Sequence, residues 1–300
     1  MPRPFVTLDV FTDTALAGNP LAVVLDGVGL STERMQAIAR EFNLSETVFV
    51  MPPAEPSRRA DIRIFTPRYE LPFAGHPTVG TAALLAMRDG SRPGETLTLG
   101  ETVGPVACLV TEMAEGRAGV RFRLPKLPES WGEGLSRDAM AEALGLHPGD
   151  IGFGPHVPSR FGAGVPYDLA PVAGLEALAR VNVTAENFER HFGASSHPSV
   201  FVYARDPAAR DGAGYRGRMF FRASGLAEDP ATGSAVAAFA GVVMAFDRPR
   251  DGAHRIMVAQ GVEMGRASSI ELTLEVRDGA LAAAHIGGGA VVVSEGALHL

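Results

Sequence analysis

The chain has 300 residues, 46% apolar and 20% charged, enough to bury one large core or two smaller ones, and two domains are the better expectation at this length. A total of 34 acidic against 27 basic residues leaves a formal charge of -7, and no run of Lys or Arg forms a basic stripe, so no nucleic-acid partner is expected. The start, Met1-Pro2-Arg3-Pro4-Phe5, passes directly into strand-like alternation and no stretch stays apolar for the roughly 18 residues of a membrane span, so a cytoplasmic protein without a membrane partner is expected.

In chain order, Phe5-Val6-Thr7-Leu8-Asp9-Val10-Phe11 alternates as a strand, and Leu21-Ala22-Val23-Val24-Leu25 forms a second across the turn Ala17-Gly18-Asn19-Pro20. Ser31 is a candidate N-cap for a helix that places Met35, Ile38, Ala39 and Phe42 on one face. Thr47-Val48-Phe49-Val50 and Asp61-Ile62-Arg63-Ile64-Phe65 continue as strands. A loop then ends in the turn Ala74-Gly75-His76-Pro77, and residues 78–87, rich in Ala and Leu, predict a mostly buried helix.

The later part of the chain repeats this grammar. Phe161-Gly162-Ala163-Gly164-Val165-Pro166 matches the Gly-Asn-Pro stretch, and Leu175-Glu176-Ala177-Leu178 matches the first helix. Val200-Phe201-Val202-Tyr203 and Arg218-Met219-Phe220-Phe221 match the two strands, and Pro230-Ala231-Thr232-Gly233-Ser234-Ala235 matches the turn. Five matches in one order predict a duplicated α+β fold of two similar halves, 1–122 and 123–300, each a sheet wrapped around a central helix, with the active site in the cleft between them. The last strand, about 288–300, is expected to return and pack with the first half.

A glycine at a helix start lets an anion approach backbone N–H groups that have no partner within the helix, and the helix dipole favours negative charge there. Gly75 and Gly233 thus form either two clamps for one small carboxylate substrate or two ordinary tight turns; their matching places favour the clamp. His76 is then a neutral hydrogen-bonding partner, or else a capping or surface residue. Asp229 is a partner for a substrate amine or hydroxyl, or else a helix-start carboxylate. Glu46, between the first helix and an apolar strand, is a proton carrier if it lies out of water, or else a solvated glutamate at a strand start. Cys108, the single cysteine, excludes an internal disulfide and a cysteine-cluster metal site, and its apolar surroundings predict a buried strand residue. The eight histidines are scattered without metal-ligand spacing, so neither a metal nor another cofactor is expected.

Together these segments resemble the PhzF family of phenazine biosynthesis, whose fold is that of diaminopimelate epimerase. The resemblance is carried by Gly18-Asn19-Pro20-Leu21-Ala22-Val23, by Phe42-Asn43-Leu44-Ser45-Glu46-Thr47-Val48-Phe49-Val50, and by Ile62-Arg63-Ile64-Phe65-Thr66-Pro67. Glu70-Leu71-Pro72-Phe73-Ala74-Gly75-His76-Pro77-Thr78, Glu228-Asp229-Pro230-Ala231-Thr232-Gly233-Ser234-Ala235 and Gln260-Gly261-Val262-Glu263-Met264-Gly265-Arg266 complete it. It implies an isomerase in which Glu46 shuttles a proton while His76 and Asp229 assist. It also implies substrate contact at Ser45, Gly75, Pro77, Thr232, Gly233 and Ser234, no cofactor, and a homodimer. The family reaction isomerises trans-2,3-dihydro-3-hydroxyanthranilate. Related epimerases carry a cysteine just before each glycine, where this chain has Ala74 and Thr232, which argues against cysteine racemisation. The loop Phe220-Phe221-Arg222-Ala223-Ser224-Gly225 departs from the family pattern: a proline is expected near Arg222 and an aromatic near Ser224, and Arg222 serves either an extra anionic group or solvent. The alternative to an isomerase is a protein on the same fold that binds a small carboxylate or a partner without chemistry.

Overall fold

A computed structural model of the chain describes residues 2–208, 214–222 and 226–300. Two compact units account for them: residues up to Arg123 together with Gly287–Leu300, and Leu124–Ile286.

In the first unit β1 (Arg3–Val10) and β2 (Asn19–Val24) form the antiparallel opening hairpin. Helix α1 (Thr32–Phe42) then leads to β3 (Glu46–Met51), which runs parallel to β2. Parallel neighbours cannot be joined by a tight turn, and α1 supplies the crossover. The Ser31 hydroxyl accepts from the Arg34 N–H, while Asn43 ends the helix in the left-handed region at φ 51. The face of Met35, Ile38 and Ala39 buries against Val24, Phe49 and Phe65. β4 (Ala60–Phe65) pairs antiparallel with β3, and the two-residue β5 (Glu70–Leu71) pairs antiparallel with β4. Helix α2 (Gly75–Asp89) is the crossover to β6 (Thr96–Glu101), parallel to β4, and β7 (Gly104–Ala114) and β8 (Arg117–Arg123) follow antiparallel.

The second unit begins with β9 (Glu129–Glu133) and α3 (Arg137–Leu144), followed by β10 (Ser159–Gly162) and β11 (Pro166–Pro171), an antiparallel pair. Helices α4 (Leu175–Arg180) and α5 (Ala185–Phe192) carry the chain to β12 (Ser199–Arg205), parallel to β11. β13 (Gly214–Arg222) pairs antiparallel with β12, and β14 (Leu226–Asp229) pairs antiparallel with β13. Helix α6 (Gly233–Val242) crosses to β15 (Gly252–Gln260), parallel to β13, and β16 (Ser268–Arg277) returns antiparallel. Antiparallel, parallel, antiparallel, antiparallel, parallel, antiparallel is therefore the pairing sequence from β1 to β7 and again from β10 to β16. Beyond α6 a π-helical turn, Val243–Asp247, brings Asp247 to His156, Tyr215 and Arg205, and His156 also meets the Tyr203 hydroxyl at 3.1 Å.

The long strand β17 (Ala280–Leu298) belongs to the first unit from Gly287 onward, where it pairs with β8 and, antiparallel, with β1. These pairings close β1, β2, β3, β4, β6, β7, β8 and β17 into a ring, a mixed sheet with barrel-like closure. α2 packs against β1, β2, β3, β6, β7 and β8 and is buried from Gly75 to Ala86, as its apolar character on all sides requires. Gly80 permits this approach: a Cβ there would lie 2.6 Å from Leu21 Cδ2 and 2.7 Å from Val10 Cγ2.

Two boundaries differ from the sequence expectation. α2 starts at Gly75 rather than at residue 78, because Pro77 stands in the first turn, where its missing N–H costs no helical bond. β17 extends far beyond Ala290-Val291-Val292-Val293, through Gly287, Gly288 and Gly289, which carry no strand signal. At Gly287 a Cβ would sit 2.7 Å from the Cβ of Arg121, so the sheet itself selects glycine there. No described helix is long and apolar enough to cross a membrane.

Candidate active site

Glu46 is the first residue of β3, placed by the left-handed stop of α1 at Asn43 and the bend through Leu44 and Ser45. Its backbone is in register with Leu21 of β2, and its half-buried side chain meets the second residue of α2: Glu46 Oε2 lies 3.0 Å from His76 Nδ1. His76 is 5% exposed, so the surface reading of this histidine is excluded. His76 Nε2 is buried and has no hydrogen-bond partner among the described residues. A neutral imidazole that donates from Nδ1 to Glu46 presents an acceptor lone pair at Nε2, so the pair offers a carboxylate oxygen and an imidazole nitrogen for other work. Ser45 is half-buried beside this pair in sequence, and Gly75 and Pro77 are buried in the first turn of α2. The first N–H groups of that helix have no intrahelical partner, and its N-cap, Ala74, makes no side-chain cap bond.

The turn at Gly75 is held from inside the first unit by a residue that the sequence did not single out. Thr78 Oγ lies 2.8 Å from the Ala74 carbonyl oxygen and 2.8 Å from Oε1 of Glu101, the last residue of β6. Glu101 is 8% exposed, its Oε2 has no partner among the described residues, and burial pushes its pKa up to about 8. Cys108 lies wholly buried on β7, and its thiol is pushed up by burial and by the neighbouring Glu101. It is therefore the inert strand residue that its apolar surroundings predict.

In the second unit Asp229 ends β14 and takes a hydrogen bond from the Thr232 hydroxyl at 2.5 Å. Thr232 is the N-cap, and Gly233 and Ser234 open α6. Gln260, wholly buried at the end of β15, ties the turn together. Its carbonyl accepts from the Thr232 N–H at 3.1 Å, and its amide reaches the Asp229 carbonyl oxygen at 2.7 Å and Thr232 Oγ at 3.0 Å. Ser268, opposite Gln260 in the β15 to β16 register, donates to the Pro230 carbonyl at 2.8 Å. Ser234 shares a 2.6 Å hydrogen bond with the hydroxyl of Tyr167 on β11, whose ring meets the edge of His197 at 5.1 Å between centroids. Burial lowers the pKa of His197 and keeps that ring neutral.

Arg222 is engaged at the surface: Nε donates to Glu189 Oε1 at 2.7 Å, and Nη2 meets the other carboxylate oxygen of Glu189 and the Gly193 carbonyl. Arg222 is thus an exposed side chain held in a surface ion pair with an exposed glutamate. Ala223, Ser224 and Gly225 lie outside the described residues. The structure thus joins Glu46 to His76, Asp229 to Thr232, and Ser234 to Tyr167. Glu101, Gln260 and Tyr167 escaped sequence reasoning because each lies in a strand with other polar residues, and nothing within the strand sets it apart. Gln260 had one available signal, a polar residue just before the turn Gly261-Val262-Glu263-Met264-Gly265.

A family model described as phenazine biosynthesis-like protein matches residues 8–296. The sequence is 48% identical to an uncharacterised isomerase of Mesorhizobium japonicum and 36% identical to the trans-2,3-dihydro-3-hydroxyanthranilate isomerase of Pseudomonas aeruginosa, each over 99% of both chains. Among solved structures it is similar to a Bacillus anthracis phenazine biosynthesis protein of the PhzF family, with 25% identity, a TM-score of 0.87 and 100% of both chains covered.

Proposed function

The chain belongs to the phenazine biosynthesis-like protein family, and from that premise we propose that it is a cofactor-independent isomerase that moves a proton within a small amino or hydroxy carboxylic acid. Trans-2,3-dihydro-3-hydroxyanthranilate, the substrate named for the Pseudomonas aeruginosa relative, is the first compound to test. The observation that carries this reading is the contact between Glu46 and a buried His76 whose other nitrogen is unpartnered among the described residues. A binding protein needs the glycine turns but not a carboxylate set against an imidazole.

In the proposed cycle Glu46 takes a proton from a substrate carbon; the C–H bond breaks as an O–H bond forms, and the electron pair enters the adjoining double-bond system. The same proton then returns to a second carbon of that system, and Glu46 is again a carboxylate. His76 fixes one carboxylate oxygen through Nδ1, so the other is free to point at carbon, and Nε2 accepts from a substrate hydroxyl or amine. In the first unit the N–H groups at Gly75 are donors suited to a substrate carboxylate; in the second unit those at Gly233, with Ser234, are donors of the same kind, and Asp229, positioned by Thr232, is an acceptor suited to an amine or hydroxyl. Exclusion of water keeps the abstracted proton on Glu46 until it is returned. The repeated pairing order supports a duplicated, diaminopimelate-epimerase-like design, and homodimeric assembly and a cytoplasmic location belong to the same proposal.

The test is solvent-deuterium incorporation and turnover with a panel of cyclic amino and hydroxy acids, comparing the protein with Glu46→Gln. General acid–base catalysis is worth roughly 100- to 10,000-fold, and a loss of that size is expected. Equal exchange in both proteins would remove Glu46 from its role.

A further inference from the structure

Hydrogen counting at Thr78 constrains the charge of Glu101. The hydroxyl lies at hydrogen-bond distance from two oxygens, the Ala74 carbonyl and Glu101 Oε1, and has one hydrogen to give. A carbonyl oxygen only accepts. Both contacts are satisfied together when Thr78 donates to Ala74 and the Glu101 carboxyl, carrying its proton, donates to Thr78. An ionised carboxylate would also leave a buried charged Oε2 with no partner among the described residues.

The second unit supplies an independent observation. β6 lies parallel to β4 and ends in Glu101; β15 lies parallel to β13 and ends in Gln260. Each is the buried end of the strand that follows the unit's buried helix, and each reaches back to the turn at that helix's start. Gln260 is an amide that cannot ionise, and a protonated glutamic acid is its near isostere.

We propose that Glu101 is a positioning residue: as a neutral carboxylic acid it donates to Thr78, through Thr78 it anchors the Ala74 carbonyl, and it thereby fixes the Ala74–Gly75 peptide and the N–H groups that follow. The assignment of those N–H groups to a substrate carboxylate rests on the proposed function; the brace does not. Ionisation of Glu101 sets two acceptors against one hydrogen, so one of the two contacts of the Thr78 hydroxyl is lost, while the Thr78 N–H still donates to the Ala74 carbonyl at 3.2 Å.

The elements packed against β6 are α2, β4 and β7. Of their titratable groups, His76 faces Glu46, Arg88 faces Glu295, Asp89 faces Arg59, Asp61 faces Arg58, Arg63 faces Glu70 and Glu112 faces Arg117. Cys108 is left as the titratable neighbour of Glu101, and it is protonated throughout the range in which Glu101 titrates.

The experiment follows the Gly75 amide resonance by NMR from about pH 6 to about pH 10, without substrate, beside the infrared carboxyl band of Glu101. The expected result is a Gly75 shift with a midpoint near 8 and an unionised carboxyl band at neutral pH. That band should be absent in Glu101→Gln, with the Gly75 resonance fixed at its low-pH position. Thr78→Val should abolish the Gly75 shift while keeping the carboxyl band, and this variant decides the matter if Glu101→Gln does not fold. Glu46→Gln should leave the Gly75 titration intact, so failure of the catalytic reading and failure of this one are separately visible. A Gly75 titration unchanged in Glu101→Gln or in Thr78→Val, or an ionised Glu101 at neutral pH, overturns the proposal.

Discussion

In the first unit the second residue of the buried helix is His76, set against Glu46, and the turn before it is tied through Thr78 to Glu101. In the second unit the corresponding residue is Ser234, set against Tyr167, and the turn is tied by Gln260. The two turns share a glycine at the first helical residue, an N-cap without a side-chain cap bond, and a buried helix behind. They differ in the group that closes the brace: at the first it is the Glu101 carboxyl, whose pKa burial raises to about 8, and at the second it is the Gln260 amide, which does not ionise. The brace at the first turn is therefore sensitive to pH near neutrality, and the brace at the second is not.

The largest effect expected from this contrast is on stability. The pKa of Glu101 is raised from 4.5 to about 8 by burial, so between those values the unfolded chain has lost a proton that the folded chain keeps. Stability from this group is fully present below about pH 4.5 and is lost progressively up to about pH 8, by roughly 1.4 kcal/mol per pH unit at most. Glu101→Gln should therefore become increasingly more stable than the unmodified protein across that window, with the difference levelling off above it. Urea denaturation of both proteins at a series of pH values measures this; parallel curves would show that Glu101 is ionised in the folded state.

A smaller effect is expected at the second brace. Gln260→Ala strips a partner from the Thr232 N–H and from the Asp229 carbonyl, and two unpaired groups of this kind cost about 2–4 kcal/mol. Because no proton is involved, the loss should be the same at each pH in the same denaturation series. A loss that varied with pH would break the contrast between the turns. Smallest is Tyr167→Phe, which removes one hydrogen bond to Ser234 at a cost of about 1 kcal/mol, read from the same midpoint shift.

Local pattern was enough to locate the elements that matter. The Ser31 cap, the alternation of β4 and the apolar helix after Gly75 are legible because each depends on neighbours within a few residues. The pairing that joins Glu46 to His76 is not, since it links residues 30 positions apart through the register of β3 and the start of α2. Nor is the use of Arg222, which meets a glutamate 33 positions earlier in sequence.

Legible in the chain alone were the two glycine turns opening two buried helices, the absence of the one cysteine from either turn, and His76 and Asp229 beside them. How these turns are held became visible only in the fold. Whether a buried carboxyl is a charge or a hydrogen-bond donor depends on which atoms surround it, and those atoms come from strands and helices distant in the chain. Glu101 and Gln260 look alike in sequence as polar residues closing strands that hold other polar residues; their burial against Thr78 and Thr232 is what makes them braces, and the carboxyl of Glu101 makes only that one sensitive to pH.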